Sequence, residues 1–251
     1  MRILVSNDDG IHAPGLKVLE KVAKSLSKDV WVVAPEFEQS GASHSLTLTL
    51  PLRLRKINAR RYAVRGTPTD CVMLAMHELF KDKKPDLLLS GINRGGNLGE
   101  DVTYSGTVAV AMEGALLGVP SIALSQVFTH GHAVKWKTAE THAPKVIRKL
   151  LKTGWSASTL INVNFPDVAA DAVTGIEVVK QGKRDLTDLL LDARVDARGV
   201  PYYWIGFRRQ KNKAKRQTDL GATDNGAISV TPLQLDLTHD AGIRALKSAL
   251  T

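Results

Sequence analysis

Cysteine, long apolar runs and acidic residues are scarce in this chain of 251 residues, and each scarcity narrows its class. The single cysteine, Cys71, excludes an internal disulfide and favours a reducing compartment. It lies on the apolar side of a predicted helix, which favours a buried structural thiol over a catalytic one. The most apolar stretch, residues 109–117, is interrupted by Glu113, so it is not expected to span a bilayer. Because acids follow only three apolar residues at the N-terminus, we expect no signal peptide and a cytoplasmic protein.

The shortage of acids leaves a net charge of +9, and most of that charge is local. Between Lys180 and Arg216 the chain has eleven Lys or Arg residues against four Asp. Such a segment can bind the phosphates of a polynucleotide, or it can be a solvated loop, which is the commoner meaning of a charge run. A nucleic-acid-binding module on this segment is therefore the alternative to an enzyme. Because the remaining chain is nearly neutral, we do not expect nucleic acid to be the main partner.

Apolar runs and amphipathic stretches alternate over the first two thirds of the chain, which predicts an α/β fold. Leucines alternate over residues 46–54, which suggests an exposed strand pair or meander near Pro51. Buried strands are predicted at residues 3–5, 30–35 and 85–89, and helices at residues 16–26, 71–80 and 108–117.

Two adjacent acids, Asp8 and Asp9, follow the first predicted strand in the sequence Ser-Asn-Asp-Asp-Gly. Ligands of open α/β sheets bind at the carboxyl ends of the strands. Neighbouring carboxylates repel each other unless a cation or a shared proton offsets their charge, so a hard divalent metal is the first functional hypothesis. Asn-Asp-Asp-Gly is also ordinary turn chemistry, and the motif alone leaves both interpretations open.

A glycine-rich loop at residues 90–99 follows the third predicted strand. Its glycines allow a ligand to approach the backbone, and Asn93 and Asn97 offer amide groups. The pattern matches neither a P-loop nor the dinucleotide fingerprint, which weakens an ATP or NAD interpretation. A loop that needs positive φ angles is the structural alternative.

Residues 104–107, Tyr-Ser-Gly-Thr, open the predicted helix that begins at Val108. Free N–H groups and hydroxyls at a helix start bind anions, although simple N-capping by Ser105 is the structural alternative. In a parallel sheet these groups, the acids and the polar loop at residues 39–43 can meet at one edge. Carboxylate, hydroxyl and amide oxygens suit Mg²⁺ or Mn²⁺ better than zinc.

Five motifs stand in order along the first half of the chain: residues 6–10 (SNDDG), 34–43 (AP and QSGAS), 66–71 (GTPTDC), 90–99 (SGIN and GNLG) and 104–108 (YSGTV). In this order they resemble the SurE survival-protein family. Members of that family are metal-dependent 5′/3′-nucleotidases that remove phosphate from nucleoside monophosphates. The resemblance is close from Arg2 to about Gly114 and returns at residues 228–233. Ala227 stands where the family more often has an aromatic residue, a departure that concerns assembly more than catalysis.

The resemblance implies a set of site residues. Asp8 and Asp9 would be catalytic, and one divalent ion would be Mg²⁺ or Mn²⁺, with Ca²⁺ able to replace it in a crystal. The implied metal ligands are Asp8, Asp9, Ser40 and Asn93. The implied substrate-binding residues are Asn7, Gly41, Ser43, Asn97, Ser105, Gly106 and Thr107.

The same resemblance implies the architecture and the partners. The fold would be a Rossmann-like, mostly parallel sheet flanked by helices, with a C-terminal β-hairpin or extended arm that forms a homodimer or homotetramer. Nucleoside 5′- and 3′-monophosphates would be substrates, as would polyphosphate, and no membrane partner is expected. The expected segments are an N-terminal α/β catalytic core at 1–125, its continuation at 126–180, a basic arm or hairpin at 181–217, and a C-terminal strand and helix at 218–251.

Two mechanisms remain open for such a site. The cation can activate a water molecule while Asp8 acts as ligand and base, or Asp8 can attack phosphorus directly. His12 and His44 stand near the same loops and are candidates for the general acid, although a packed or solvent-facing histidine is the commoner case.

Overall fold

Strands and helices alternate through the computed structural model, which describes residues 1–184, 189–207 and 217–250. In these ranges the strands are β1 (Arg2–Ser6), β2 (Asp29–Pro35), β3 (Leu54–Asn58), β4 (Arg61–Val64), β5 (Leu87–Arg94), β6 (Ser121–Gln126), β7 (Thr159–Phe165), β8 (Gly175–Val178), β9 (Leu189–Val195), β10 (Pro201–Phe207) and β11 (Ala227–Gln234). The α-helices are α1 (Pro14–Leu26), α2 (Pro68–Leu74), α3 (Asp101–Tyr104), α4 (Gly106–Leu116), α5 (Trp136–Thr153), α6 (Asp219–Asp224) and α7 (Asp240–Leu250). A π-helical turn, Ala75–Leu79, extends α2, and a 3₁₀ turn covers Ala170–Ala172.

Nine strands form one sheet in the order β3-β4-β2-β1-β5-β6-β7-β11-β8. The pairs β3–β4 and β7–β11 are antiparallel, and the other neighbours are parallel. The chain leaves β1 for β2 on one side and later returns to the other side of β1 at β5. The carboxyl ends of β1 and β5 therefore border a topological switch point, which is where open α/β sheets bind ligands.

Helices cover both faces of the sheet, and this explains why the sequence of β1 is continuously apolar. Ile3 and Val5 pack with α1 and α5 on one face, whereas Leu4 packs with α2 and α4 on the other. A strand buried on both faces has no polar side to alternate with, as is typical of parallel sheets. The predicted α/β fold is confirmed, and Cys71 is buried in the second of these layers, as expected.

The predicted strand pair near Pro51 is wrong in position. Residues 45–53 form no strand, and Leu48 is 85% exposed. The antiparallel pair of β3 and β4 begins at Leu54 instead. Alternating leucines give a strand pattern, but a strand also needs a partner, and Pro51 offers no N–H for one. β5 in turn continues through Arg94, beyond the predicted end of its apolar run.

The C-terminal part contains an antiparallel hairpin of β9 and β10. This hairpin confirms the predicted C-terminal β-hairpin. The most basic run, residues 208–216, lies outside the described residues, as do Asp185 and Asp188. In the three described ranges, no helix has the length and apolar character needed to cross a membrane.

Candidate metal and phosphate site

Asp8 and Asp9 follow β1, and each accepts a backbone hydrogen bond from a residue beyond β2 or at the end of β5. Asp8 is 4% exposed, and its backbone carbonyl accepts the N–H of Gln39, beyond β2, at 2.8 Å. The Oδ2 of Asp9 accepts the backbone N–H of Arg94, at the end of β5, at 3.2 Å. Gly10 turns the chain at φ +97°, a conformation that other residues rarely adopt. This turn keeps both acids at the β2-β1-β5 edge, whereas a regular strand would send adjacent side chains to opposite faces.

Burial and neighbouring negative charge destabilise the ionised forms of both acids. Burial, and next the charge of Asp8, raise the pKa of Asp9 from 3.8 to about 7. Burial also raises the pKa of Asp8, although the hydroxyl of Thr107 opposes that effect. Glu38, in the loop after β2, adds repulsion to both carboxylates. A cation at this edge would stabilise Asp8 and Asp9 in their charged forms.

The N-terminus of α4 lies directly against Asp8. The hydroxyl of Thr107 donates a hydrogen bond to Asp8 Oδ1. Ser105 caps the helix, because its Oγ accepts the Val108 N–H at 3.0 Å. A Cβ at Gly106 would lie 2.7 Å from the Asp8 Cβ, so only glycine permits this approach. The first-turn N–H groups of an eleven-residue helix thus lie beside a carboxylate that can hold a cation.

The loop after β2 reaches this edge through hydrogen bonds of its serines. Ser40 is exposed, and its hydroxyl donates to Glu38 Oε1 at 2.8 Å. Ser43 donates to the carbonyl of Thr103, just before the start of α4, at 2.7 Å. Gly41 has φ +79° with no atoms within 4 Å of an added Cβ. The loop therefore spans from the acids, where Gln39 donates to Asp8, to the segment before α4, where Ser43 donates to Thr103, while Ser40 bonds to Glu38.

The two predicted asparagines differ in their surroundings. Asn93 is partly buried, and its amide donates to the Gly95 carbonyl at 2.8 Å. Asn97 is 6% exposed, and its amide donates to Ser125 Oγ at 2.8 Å. Its backbone N–H donates to Asn164 Oδ1 at 2.8 Å. Asn93 thus stands at the open end of β5, whereas the side chain of Asn97 is bonded to a residue of β6.

The chemistry of these side chains fits a hard divalent cation. The Oδ1 of Asn7 is buried at this edge, and the described residues offer it no hydrogen-bond partner, although its amide nitrogen donates to the Gly10 carbonyl at 3.1 Å. The Oγ atoms of Ser6, at the end of β1, and of Ser90, its neighbour within β5, are also buried without such partners. Within the described ranges, no three His, Cys, Asp or Glu side chains gather as a metal cluster. A cation here would therefore combine two carboxylates with neutral oxygens, a set that suits Mg²⁺ or Mn²⁺.

Sequence reasoning missed Glu38 and Arg94. Glu38 repels both acids, and the side chain of Arg94 lies over the Phe128 ring at 5.1 Å while its charge lowers the pKa of Asp9. Glu38 lies in the loop after β2 and Arg94 is the last residue of β5. A position near the sheet edge does not by itself show that a charged side chain acts on the site. His44 bonds to Glu113 Oε2 at 2.9 Å, and His12 is exposed.

The fold and the site define an α/β protein with a paired-acid crevice at a sheet switch point. A family model described as "Survival protein SurE" matches residues 3–188. The chain belongs to the SurE family, since the match covers more than half of it and full-length relatives are more than 50% identical.

Two curated relatives and one solved structure illustrate the similarity. "5′-nucleotidase SurE" of Paramagnetospirillum magneticum is 63% identical over 249 residues, covering 99% of this chain and 95% of the relative. The protein of the same name from Parvibaculum lavamentivorans is 59% identical, covering 100% of this chain and 91% of the relative. The crystal structure of the SurE protein from Aquifex aeolicus has a TM-score of 0.86 at 42% identity, and each chain is covered completely.

Proposed function

We propose that this chain is a divalent-metal-dependent 5′-nucleotidase that removes phosphate from nucleoside monophosphates. Curated relatives at 54 to 63% identity are named 5′-nucleotidase SurE, which makes the chain a phosphoric monoester hydrolase. One observation carries the metal-dependent chemistry: buried Asp8, next to the partly buried Asp9, stands against the start of α4, where Thr107 donates to it. One crevice thereby combines ligands for a cation with donors for a phosphate.

In this proposal Asp8, Asp9, Ser40 and Asn93 hold one divalent ion, either Mg²⁺ or Mn²⁺. The ion supplies positive charge that offsets the negative charge of the phosphoryl group. Asp9 then remains ionised near neutral pH, although burial and Asp8 alone raise its pKa to about 7. Asp8 is either the base that accepts a proton from water or the nucleophile, because both roles need the same carboxylate close to phosphorus.

The substrate phosphate is proposed to bind at the start of α4, with Asn7 and Gly41 at its edges. Gly106 leaves the first turn open and offers its backbone N–H, and Ser105 offers its hydroxyl. Thr107, whose hydroxyl donates to Asp8, holds that carboxylate beside these donors. Phosphoryl transfer depends mainly on alignment and charge stabilisation, which such donors supply. Ser43 and Asn97 donate to Thr103 and Ser125, and this supports a role in shaping the loops around the phosphate.

We extend the proposal to 3′-monophosphates, polyphosphate and assembly. In β10, Tyr203 and Ile205 are 63% and 69% exposed on one face of the hairpin, and Trp204 is 61% exposed on the other. Exposed apolar side chains of this kind support burial against another subunit. A homodimer or homotetramer through this arm follows. The segments 1–125 and 126–180 contribute to one sheet, which supports their assignment as a core and its continuation, followed by the arm at 181–217 and the closing segment at 218–251.

The test is phosphate release from nucleoside 5′- and 3′-monophosphates and polyphosphate, assayed with Mg²⁺, Mn²⁺ or a chelator. We expect release with metal, none with chelator, and loss of at least about a hundredfold in kcat for Asp8→Asn. Asp82→Asn, the same change at an exposed position, is the matched control. Release that ignores the chelator would contradict the metal requirement. Polynucleotide binding that weakens steeply with salt and survives Asp8→Asn would instead support the alternative on Lys180–Arg216.

A further inference from the structure

The short segment Leu98–Asp101 connects Asn97 to α3, which leads into α4, and residues from the C-terminal part hold it in place. The N–H of Gly99 donates to Asp219 Oδ2 at 2.9 Å. The Gly99 carbonyl accepts the side-chain amide of Gln181 at 2.9 Å. Both polar groups of one glycine backbone are therefore bonded to residues more than 80 positions away in sequence.

The root of the hairpin, residues 181–184, reaches the same segment through Arg184. Its backbone N–H donates to Glu100 Oε2 at 2.6 Å. Its guanidinium Nε lies 3.1 Å from Asp101 Oδ2, and both side chains are mostly buried. The segment between the predicted substrate-binding residues Asn97 and Ser105 thus packs against the hairpin root.

Asp219 is fully buried, and its two carboxylate oxygens accept hydrogen bonds from different segments of the chain. Oδ2 accepts from Gly99, whereas Oδ1 accepts the N–H of Gly182 at 2.7 Å and that of Leu220 at 2.8 Å. Hydrogen bonds from N–H groups to a buried carboxylate are strong, because the charge is not screened by water. One side chain therefore joins the substrate loop, the hairpin root and the start of α6.

We propose that Asp219 is a positioning residue for the proposed reaction: it holds Gly99, and thereby the loop from Asn97 to Ser105, in the arrangement that binds the substrate phosphate. This inference rests on the proposed function. Asp219 acts through Gly99 and not by contact with the substrate. Asp8 and Asp9 have separate anchors at Gln39 and Arg94, so losing the Asp219 contact affects phosphate binding more than the chemical step.

Asp219→Asn tests this role with almost no change of shape. The amide oxygen can still accept from Gly182 and Leu220, but its NH₂ group then faces the Gly99 N–H, which loses its acceptor. We expect KM for a nucleoside 5′-monophosphate, and Ki for inorganic phosphate, to rise about tenfold while kcat changes less than about threefold. Asp82→Asn, the same change at an exposed position, should leave all three constants unchanged.

Amide hydrogen exchange of the full chain supplies a readout that does not depend on activity. In Asp219→Asn the Gly99 amide should exchange faster, while the Gly182 amide stays protected. Should the variant fail to fold, Gln181→Ala removes the donor to the Gly99 carbonyl and should raise KM in the same direction. An unchanged KM in a folded variant with a deprotected Gly99 would overturn the positioning role while leaving the proposed function intact. A wild-type chain without metal-dependent phosphatase activity would overturn the function, and with it the role assigned here.

Discussion

Asp9→Asn should stabilise the metal-free protein while abolishing its activity. The pKa of Asp9 is raised from 3.8 to about 7, because the folded protein buries the carboxylate beside Asp8. At 1.36 kcal/mol per pH unit, this interval corresponds to an unfavourable contribution of about 4 kcal/mol when Asp9 is ionised. Asparagine keeps the shape and an oxygen that accepts the Arg94 N–H, but it carries no charge. A site that opposes folding without its ion is typical of ligand positions selected for function.

The sign of the pH dependence follows from proton binding. Between about pH 4 and pH 7 the folded metal-free chain keeps a proton on Asp9 that the unfolded chain has lost. The free energy of unfolding therefore falls as pH rises through this window. The unfavourable contribution of Asp9 is complete above about pH 7. Asp9→Asn lacks this contribution, so the two proteins should be equally stable near pH 4 and differ most at pH 8.

Thermal unfolding at pH 4 to 8, with chelator or with Mg²⁺, measures this difference. At about 2 to 4 °C per kcal/mol for a domain of this size, the variant should melt on the order of 10 °C higher than wild type at pH 8 in chelator. Saturating Mg²⁺ should raise the Tm of wild type and leave the variant unchanged. Asp82→Asn is the control for adding an amide at an exposed site. Equal melting temperatures of wild type and Asp9→Asn at pH 8 in chelator would refute the reasoning.

Three further predictions concern the helix start and the hairpin. Gly106→Ala places a Cβ 2.7 Å from the Asp8 Cβ, so it should lose activity and cost about 1 to 3 kcal/mol in thermal melts, whereas Gly175→Ala, which meets open space, should cost less than 1 kcal/mol. Thr107→Val removes the hydroxyl that donates to Asp8, and kcat/KM should fall at least tenfold in steady-state assays; a variant with wild-type kinetics would remove Thr107 from the site. Trp204→Ser should weaken assembly in size-exclusion chromatography with light scattering, and an unchanged mass would show that the hairpin aromatic is not buried between subunits.

Local patterns predicted most of the elements that frame the site. The continuous apolar run of β1 indicates a strand buried on both faces, and the helical spacing of apolar residues in α1 indicates a helix buried on one face. Each pattern lies within a single stretch of sequence. The exposed leucines near Pro51 show the limit of that reasoning. Their alternation has the period of a strand, but pairing depends on a neighbouring strand that a local pattern cannot reveal.

The contacts that shape the site are long-range and were not visible in the chain. Glu38 and Arg94 act on the acids because two loops converge, and neither has a local signature. Asp219 is 120 residues from Gly99, and only folding shows that its carboxylate accepts that N–H. From the sequence alone, Asp219 is an ordinary acidic residue at a helix start, where negative charge is common. Its hydrogen-bond partners become known only from the fold.

The sequence by itself determined the α/β class, the family resemblance and the candidate residues, because each of these depends on residue type, spacing and order. The tertiary structure decided what Asp8 and Asp9 experience. Burial and proximity raise their pKa values, and the turn at Gly10 keeps both acids at one edge. Side-chain chemistry is local, whereas the electric field and the solvent exposure that tune it are properties of the whole fold.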